Sequence, residues 1–274
     1  MDILERAAER QAKGEAFALA TVVRTVSVTA AKAGAKALIG PDGSIEEGWI
    51  GGGCARAAVV KTAKQCLADG RSRLVSITPK EGLDVLGVAP GEDRDGVFFA
   101  KNACPSQGTM DIFIEPVLPT PKLLILGGSP VAVALARLAP GFGFETVVAA
   151  PAAEHGRFAP DLRKIDGFAA TTQEGVYAVV CTQGAGDRAA LKAAVALPAR
   201  YLAFVGSRRK AATLRAELAA EGVTEDALAR IKAPAGLDIS AITSDEIALS
   251  ILAEMIAVRR APERPPLPFD GASP

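Results

Sequence analysis

The sequence predicts an α/β chain in two parts, an N-terminal mixed α/β domain followed by a C-terminal doubly wound parallel sheet. Three observations carry that expectation. A length of 274 residues favours two domains over one. The segment Glu115–Lys122, EPVLPTPK, holds three prolines in eight residues and reads as a linker. Beyond it, strand-like runs alternate with helical patterns, which implies parallel pairing and a Rossmann-like sheet.

Taken in order, MDILERAAERQAKGE reads as an amphipathic helix and FALATVVRTV (Phe17–Val26) as a buried strand. AKALIG followed by PDGS predicts a strand and a tight turn. EGWI leads into Gly51-Gly52-Gly53, and a helical pattern starts at Cys54 and closes at Gly70. RLVSIT is a further strand, and GTMDIFIEPV alternates with the period of two that a strand requires. In the second part, KLLILGG, ETVVAA, YAVVCT and YLAFVG supply strands, with a helix over PVAVALARLA after the first. The last helix is signalled by capping-box spacing at Thr243 and Glu246, an apolar stripe of Ile247, Ile251 and Met255, and Arg259-Arg260 at its negative end. The expected domains are 1–117 and a Rossmann-like 118–262, with a Pro-rich disordered tail over 263–274.

Composition excludes several classes. Hydrophobic residues make up 49% of the chain, enough for a sizeable core. Lys+Arg and Asp+Glu stand equal at 31 each, so there is no basic excess for a nucleic acid. No apolar run reaches the roughly 18 residues needed to span a bilayer. The start carries no apolar signal segment, so the expected location is cytoplasmic. There the four cysteines (Cys54, Cys66, Cys104, Cys181) stay reduced, and no CxxC pair occurs. A single histidine, His155, weakens zinc binding and His-based acid–base chemistry; it stands in a polar loop and is expected to be exposed.

The sharpest feature is Gly51-Gly52-Gly53-Cys54-Ala55-Arg56. Three glycines let backbone approach a ligand or adopt positive φ. A thiol at a helix start meets free N–H groups and the positive dipole end, which favours the thiolate. Cys54 is therefore the candidate reactive residue and metal ligand: a thiolate suits molybdenum or copper and can accept sulfur. Arg56 can hold an anion beside it. The competing interpretation is a tight turn with a small buried cysteine. Cys104, in CPSQG, is either a second thiol facing the first or an inert one. Cys66 and Cys181 read as core residues.

In the second part, Gly127-Gly128-Ser129-Pro130-Val131-Ala132 is a degraded dinucleotide fingerprint with Ser129 in place of the middle glycine. It is either a phosphate site or a bare structural turn. Ser129 suits an N-cap and Pro130 the first helical turn. The second strand ends in Ala149-Ala150, which offers ribose no carboxylate, so NAD is not expected. Two further loops fall at strand carboxyl ends: Thr182-Gln183-Gly184-Ala185-Gly186-Asp187 and Gly206-Ser207-Arg208-Arg209-Lys210. Three cations in a first helical turn oppose the dipole, which makes sense around an anion; the alternative is a solvated basic surface.

These segments together resemble the XdhC/CoxF (XdhC/CoxI) family of accessory proteins for molybdenum hydroxylases. The match is carried by ATVVRT, GGGCAR, CPSQGTMDIFIEP, GGSPVA, TQGAGD, VGSRRK and APAGLDISAITSDEIALSILAEMIAVRR, from Ala20 to Arg260. CPSQG, SPVA and TQGAGD look closer to the carbon monoxide dehydrogenase branch. The resemblance implies an N-terminal domain carrying the GGGC loop and a Rossmann-like second domain. It further implies binding of molybdenum cofactor, as molybdopterin or its cytosine dinucleotide form, help with its sulfuration, and delivery to the apo-enzyme. In the carbon monoxide dehydrogenase branch the related task is completing the copper–sulfur–molybdenum centre. Expected partners are the apo molybdenum hydroxylase, a cysteine desulfurase or other sulfur donor, and a second copy of the chain. A nucleotide is a further expected ligand. The runner-up function is a nucleotide- or NAD-dependent oxidoreductase. Two departures from the family stand out: Val28-Thr29-Ala30 replaces the usual Ser/Thr-Pro, and the acidic residue common after the second Rossmann strand is absent.

Overall fold

The computed structural model describes residues 2–103, 107–168, 175–184 and 186–261, apart from the Cys54 side chain. Cys104, Ala185 and the tail over 263–274 lie outside the described residues. The chain divides into two compact units, Met1–Pro119 and Thr120–Ala261.

The first unit contains α1 (Ile3–Ala12), β1 (Phe17–Val26), β2 (Lys36–Ile39), β3 (Ile45–Gly48), α2 (Gly53–Asp69), β4 (Arg73–Thr78), α3 (Lys80–Leu86), β5 (Asp93–Arg94), β6 (Val97–Lys101) and β7 (Thr109–Val117). The seven strands form one mixed sheet in the order β3-β2-β1-β7-β4-β6-β5, in which β4 and β6 run parallel and the other pairs antiparallel. Alternation decides which face is covered. Ala18, Ala20, Val22, Ile112, Ile114, Val75 and Ile77 are buried together with Ala55, Val59, Ala63 and Cys66, the inward stripe of α2 at helical spacing.

Two expectations are corrected here. β1 is buried only in its first half: its register with β7 shifts between Val22 and Arg24, and beyond that bulge Val23 and Val26 are about half exposed. The Pro-rich segment is also shorter as a linker than its composition suggests, because β7 runs through Pro116 to Val117. Pro116 pairs with Ala18 of β1, while the β4 pairing ends at Ile114, so the missing N–H faces no second strand.

The second unit contains β8 (Lys122–Leu126), α4 (Pro130–Leu138), β9 (Glu145–Ala150), β10 (Arg163–Asp166), β11 (Tyr177–Val180), α5 (Asp187–Val195), β12 (Tyr201–Phe204), α6 (Arg208–Ala220), α7 (Glu225–Ala229), β13 (Ile231–Lys232) and α8 (Ser244–Arg260). All pairings are parallel, in the order β10-β9-β8-β11-β12-β13. This is the Rossmann arrangement, wound outward in both directions from β8, with the switch point between β8 and β11. The inner strands β8, β9, β11 and β12 are buried on both faces, while the edge strands β10 and β13 are not. Leu123 and Ile125 pack with α4 and α8, and Leu124 and Leu126 with α5 and α6. α8 starts as expected: Thr243 Oγ1 accepts from the Glu246 N–H at 3.3 Å, and Glu246 Oε2 accepts from the Thr243 N–H at 2.8 Å.

Candidate functional site

In the first unit, Ile50 is fully buried and anchors the glycine run. Gly51 adopts φ 120°, and a Cβ there would sit 3.2 Å from Met110 Cε and 3.3 Å from Ala55 Cβ. Gly51 is therefore a glycine for conformational reasons. Gly52 and Gly53 are different. Both are exposed, neither has positive φ, and a Cβ added at either would meet nothing within 4 Å. Gly52 is the N-cap, with no side chain to cap the helix, so α2 begins at Gly53 and Cys54 is its second residue. Arg56 is exposed, and its N–H donates to Gly52 O at 3.0 Å.

Three loops meet at this end of the sheet, around Met110. Gly51 lies against Met110, while Gly108 packs so closely on Val28 and Thr29 that no Cβ fits. Asn102 Nδ2 donates to Gly108 O at 2.6 Å, and the Asn102 N–H donates to Thr78 O at 2.8 Å. Asn102 thus links the end of β4 to Gly108, the residue before β7. Trp49 and Val28, flanking these loops, are 55% and 70% exposed. The sequence did not single out Asp111, which accepts from Ser76 Oγ at 2.7 Å and from Arg24 Nε at 2.5 Å. Its only signal was the alternation of MDIF, which turns it away from Met110 and Ile112.

Cys66 and Cys181 are both buried free thiols, and burial pushes both up from the ordinary thiol value. In Cys66 the Arg73 guanidinium, 3.7 Å from Sγ, opposes that rise.

In the second unit, the candidates gather at the carboxyl edge of the sheet. Gly127 (φ 115°) abuts the next strand, since a Cβ would lie 2.6 Å from Cys181 O. Ser129 is buried and caps α4 by accepting from the Ala132 N–H at 3.2 Å. Gln183 (φ 53°) and Gly184 (φ 106°) turn the loop after β11 so that the Gly184 N–H donates to Asp187 Oδ1 at 3.0 Å. Asp187 is buried, accepts from Thr182 Oγ1 as well, and forms an ion pair with Lys210. Burial alone would raise its carboxyl; Lys210, Thr182 and the Gly184 N–H outweigh that and hold it below the ordinary value.

That pair corrects the picture of three cations around one anion. Gly206 packs on the Phe204 ring, Ser207 caps α6 by accepting from the Lys210 N–H at 3.2 Å, and Lys210 is neutralised by Asp187. Arg208 and Arg209 remain exposed.

Two further corrections concern the segment after β9. His155 is not simply exposed. It is partly buried, with Nε2 2.8 Å from Ala150 O and 3.2 Å from Ile165 O, so it ties the ends of β9 and β10 together. Ala149 and Ala150 are buried, yet an acid does reach the loop after β8. A 3-10 turn over Ala152–Arg157 brings Glu154 onto Gly128, where a Cβ would collide with its side chain, and Arg157 Nη1 donates to Gly128 O at 2.8 Å.

Among the described residues, no group of three or more His, Cys, Asp or Glu side chains is placed to hold a metal ion, and no helix is long and apolar enough to cross a membrane.

Comparison with known proteins follows this division into units. A crystal structure described as a xanthine dehydrogenase (BH1974) from Bacillus halodurans aligns over 98% of this chain and 99% of that chain, at 19% identity and a TM-score of 0.46, which is too low to carry an argument. A protein of Escherichia coli (strain K12) named "Uncharacterized protein YqeB" is 30% identical over 270 residues; the match takes in 94% of this chain and 46% of the relative, so the chain spans about half the relative's length. A family model described as "XdhC and CoxI family" matches residues 10–78, and one described as "XdhC Rossmann domain" matches residues 123–255. The first match takes in the glycine run and Cys54, the second all three loops at the carboxyl edge of the parallel sheet, and the chain belongs to the XdhC and CoxI family.

Proposed function

We propose that this chain is a maturation factor for a molybdenum hydroxylase, taking molybdenum cofactor as cargo and handing it to the apo-enzyme with its metal centre completed. The observation that carries this reading is the pair Gly52 and Gly53. Neither backbone conformation nor any described neighbour requires a glycine at these positions. What their lack of side chains does is leave the start of α2 approachable from outside, with free N–H groups beside Cys54 in the first turn. An anionic ligand with a soft metal end matches that chemistry: the N–H groups suit negative charge, and a cysteine thiolate suits molybdenum, copper or sulfur.

Family membership supports the same reading. Within it, Cys54 binds the metal or accepts the sulfur, Cys104 supplies a second thiol, and the sulfur comes from a cysteine desulfurase or a comparable donor. CPSQG, SPVA and TQGAGD favour a client of the carbon monoxide dehydrogenase type. The cargo is molybdopterin or its cytosine dinucleotide form.

The test is Cys54→Ser, produced together with the client. The expected client folds and assembles but lacks its full sulfur or metal complement, measured by metal analysis and by cyanide-releasable sulfur. A fully loaded client would remove Cys54 from the process.

A further inference from the structure

We infer, resting on the function proposed above, that Trp49 is the platform for the cargo's ring system, with the indole stacked on the pterin and the anionic end reaching the start of α2. Trp49 is the chain's single tryptophan, and it is 55% exposed. Its backbone is fixed on both sides. Gly48 (φ 78°) ends β3 in a conformation that favours glycine, and a Cβ there would collide with Lys36 O. The Trp49 N–H donates to Lys36 O at 2.9 Å, which carries the pairing with β2 one residue past β3. Ile50 follows, fully buried, and Gly51 opens the turn into α2. Neighbouring side chains on a strand ladder point to opposite sides, so anchoring Ile50 inside leaves the indole outside. A large ring is thus held in water by a rigid stretch of backbone rather than by a loose loop.

The chain beyond the indole is open. Gly52 and Gly53 carry no side chains, a Cβ at either would meet nothing within 4 Å, and the free N–H groups of the first turn of α2 come next. Val28, 70% exposed on the loop that abuts Gly108, adds a second apolar group at this end of the sheet. Between Trp49 and the first turn of α2 the sequence therefore lines up a flat aromatic face, a gap without side chains and an anion-binding helix start. A pterin cofactor has matching parts: a flat heteroaromatic ring, a soft metal end and a phosphate. Heteroaromatic rings stack on tryptophan through their π-faces, and a rigid indole loses little conformational freedom in doing so. Trp49 then selects a ring, while the helix start selects only charge.

The experiment follows the fluorescence of the single tryptophan in the full chain as molybdopterin is added, with molybdate as an anion that has no ring. Binding is measured separately by ultrafiltration. We expect bound molybdopterin to shield the indole from quenching by acrylamide, and molybdate to leave it open. Trp49→Ala should weaken molybdopterin on the order of ten- to a hundredfold, Trp49→Phe much less, and neither should change any binding of molybdate. Both variants should keep the thermal midpoint, because the side chain lies mostly outside the fold. Molybdopterin that fails to bind the wild type at all would overturn the proposed function together with the role of Trp49. Molybdopterin that binds wild type and Trp49→Ala alike, that leaves acrylamide quenching unchanged, or that is weakened only in step with molybdate would overturn the role of Trp49 alone and leave the proposed function standing. The first of these results is the one expected if Trp49 docks the client protein instead.

Discussion

Asp187→Asn isolates the charge at the junction between the loops after β11 and β12. The Asp187 side chain is 6% exposed, and its Lys210 partner is 41% exposed. Asparagine keeps the size and one acceptor oxygen, so the loop geometry survives while the charge is lost. Hydrogen bonds to a charged acceptor are worth about 1.5–3 kcal/mol each and neutral ones about 0.5–1.5, so weakening the Thr182 and Gly184 bonds costs about 2 kcal/mol. The ion pair adds at most about 1 kcal/mol, because Lys210 reaches solvent. We expect a loss of about 2–3 kcal/mol at pH 7, less whatever is regained by no longer burying a charge. The folded carboxyl lies below its ordinary value of 3.8. A depressed carboxyl contributes stability that is present above the unfolded value and lost as pH falls through the folded one. The gap between the wild type and Asp187→Asn is therefore full near neutrality and closes below about pH 4. Urea denaturation followed by circular dichroism at steps from pH 7 to pH 3 measures it. A gap of the same size at both ends of that range, or one below about 0.5 kcal/mol at pH 7, would refute the assignment of Asp187 as the charged centre of this junction.

The other predictions use the same geometry. Gly53→Ala should leave stability unchanged or raise it by up to about 1 kcal/mol, because it adds a helix former where nothing is crowded, while lowering client maturation if the cargo sits there. Gly127→Ala should instead cost about 3 kcal/mol or more, since the added carbon meets Cys181 O at 2.6 Å with φ at 115°; chemical denaturation of the two variants side by side tests the contrast. Tyr201→Phe removes the 2.6 Å bond from Tyr201 Oη to the buried Glu254 carboxylate and should lower stability by about 1.5–3 kcal/mol, seen as a drop in the thermal midpoint. Cys66 and Cys181, raised by burial, should resist iodoacetamide in the native chain and react once urea is added; peptide mass spectrometry reads both sites, and native labelling of Cys181 would contradict its burial.

Features confined to a few neighbouring residues were open to reading in the sequence. The capping box at Thr243 and Glu246 spans three residues, and the N-cap at Ser129 rests on one oxygen and an N–H one turn away. The strand–helix alternation that announces the parallel sheet is a pattern along the chain, so it survived as well. GGGC stood out because its residues are consecutive. The short elements did not: β5 and β13 are two residues each and carry no period, and α3 begins directly after Pro79 with only Leu83 buried. Pro116 signalled a break because its missing N–H argues against a strand, and only the register of β7 shows that no partner needed that N–H.

What the sequence determined by itself was the order of elements, the Rossmann character of the second unit, the helix caps and the position of Cys54 in a first helical turn. The caps and the place of Cys54 depend on residues within a turn of one another, and the order of elements and the Rossmann character on a pattern that runs along the chain. Only the tertiary structure decided that Lys210 belongs to Asp187, that His155 ties β9 to β10, and that Glu154 lies on Gly128. Those partners are 23, 5 to 10, and 26 residues apart. They meet because parallel strands bring the loops at their carboxyl ends side by side, a consequence of strand order that no local pattern encodes.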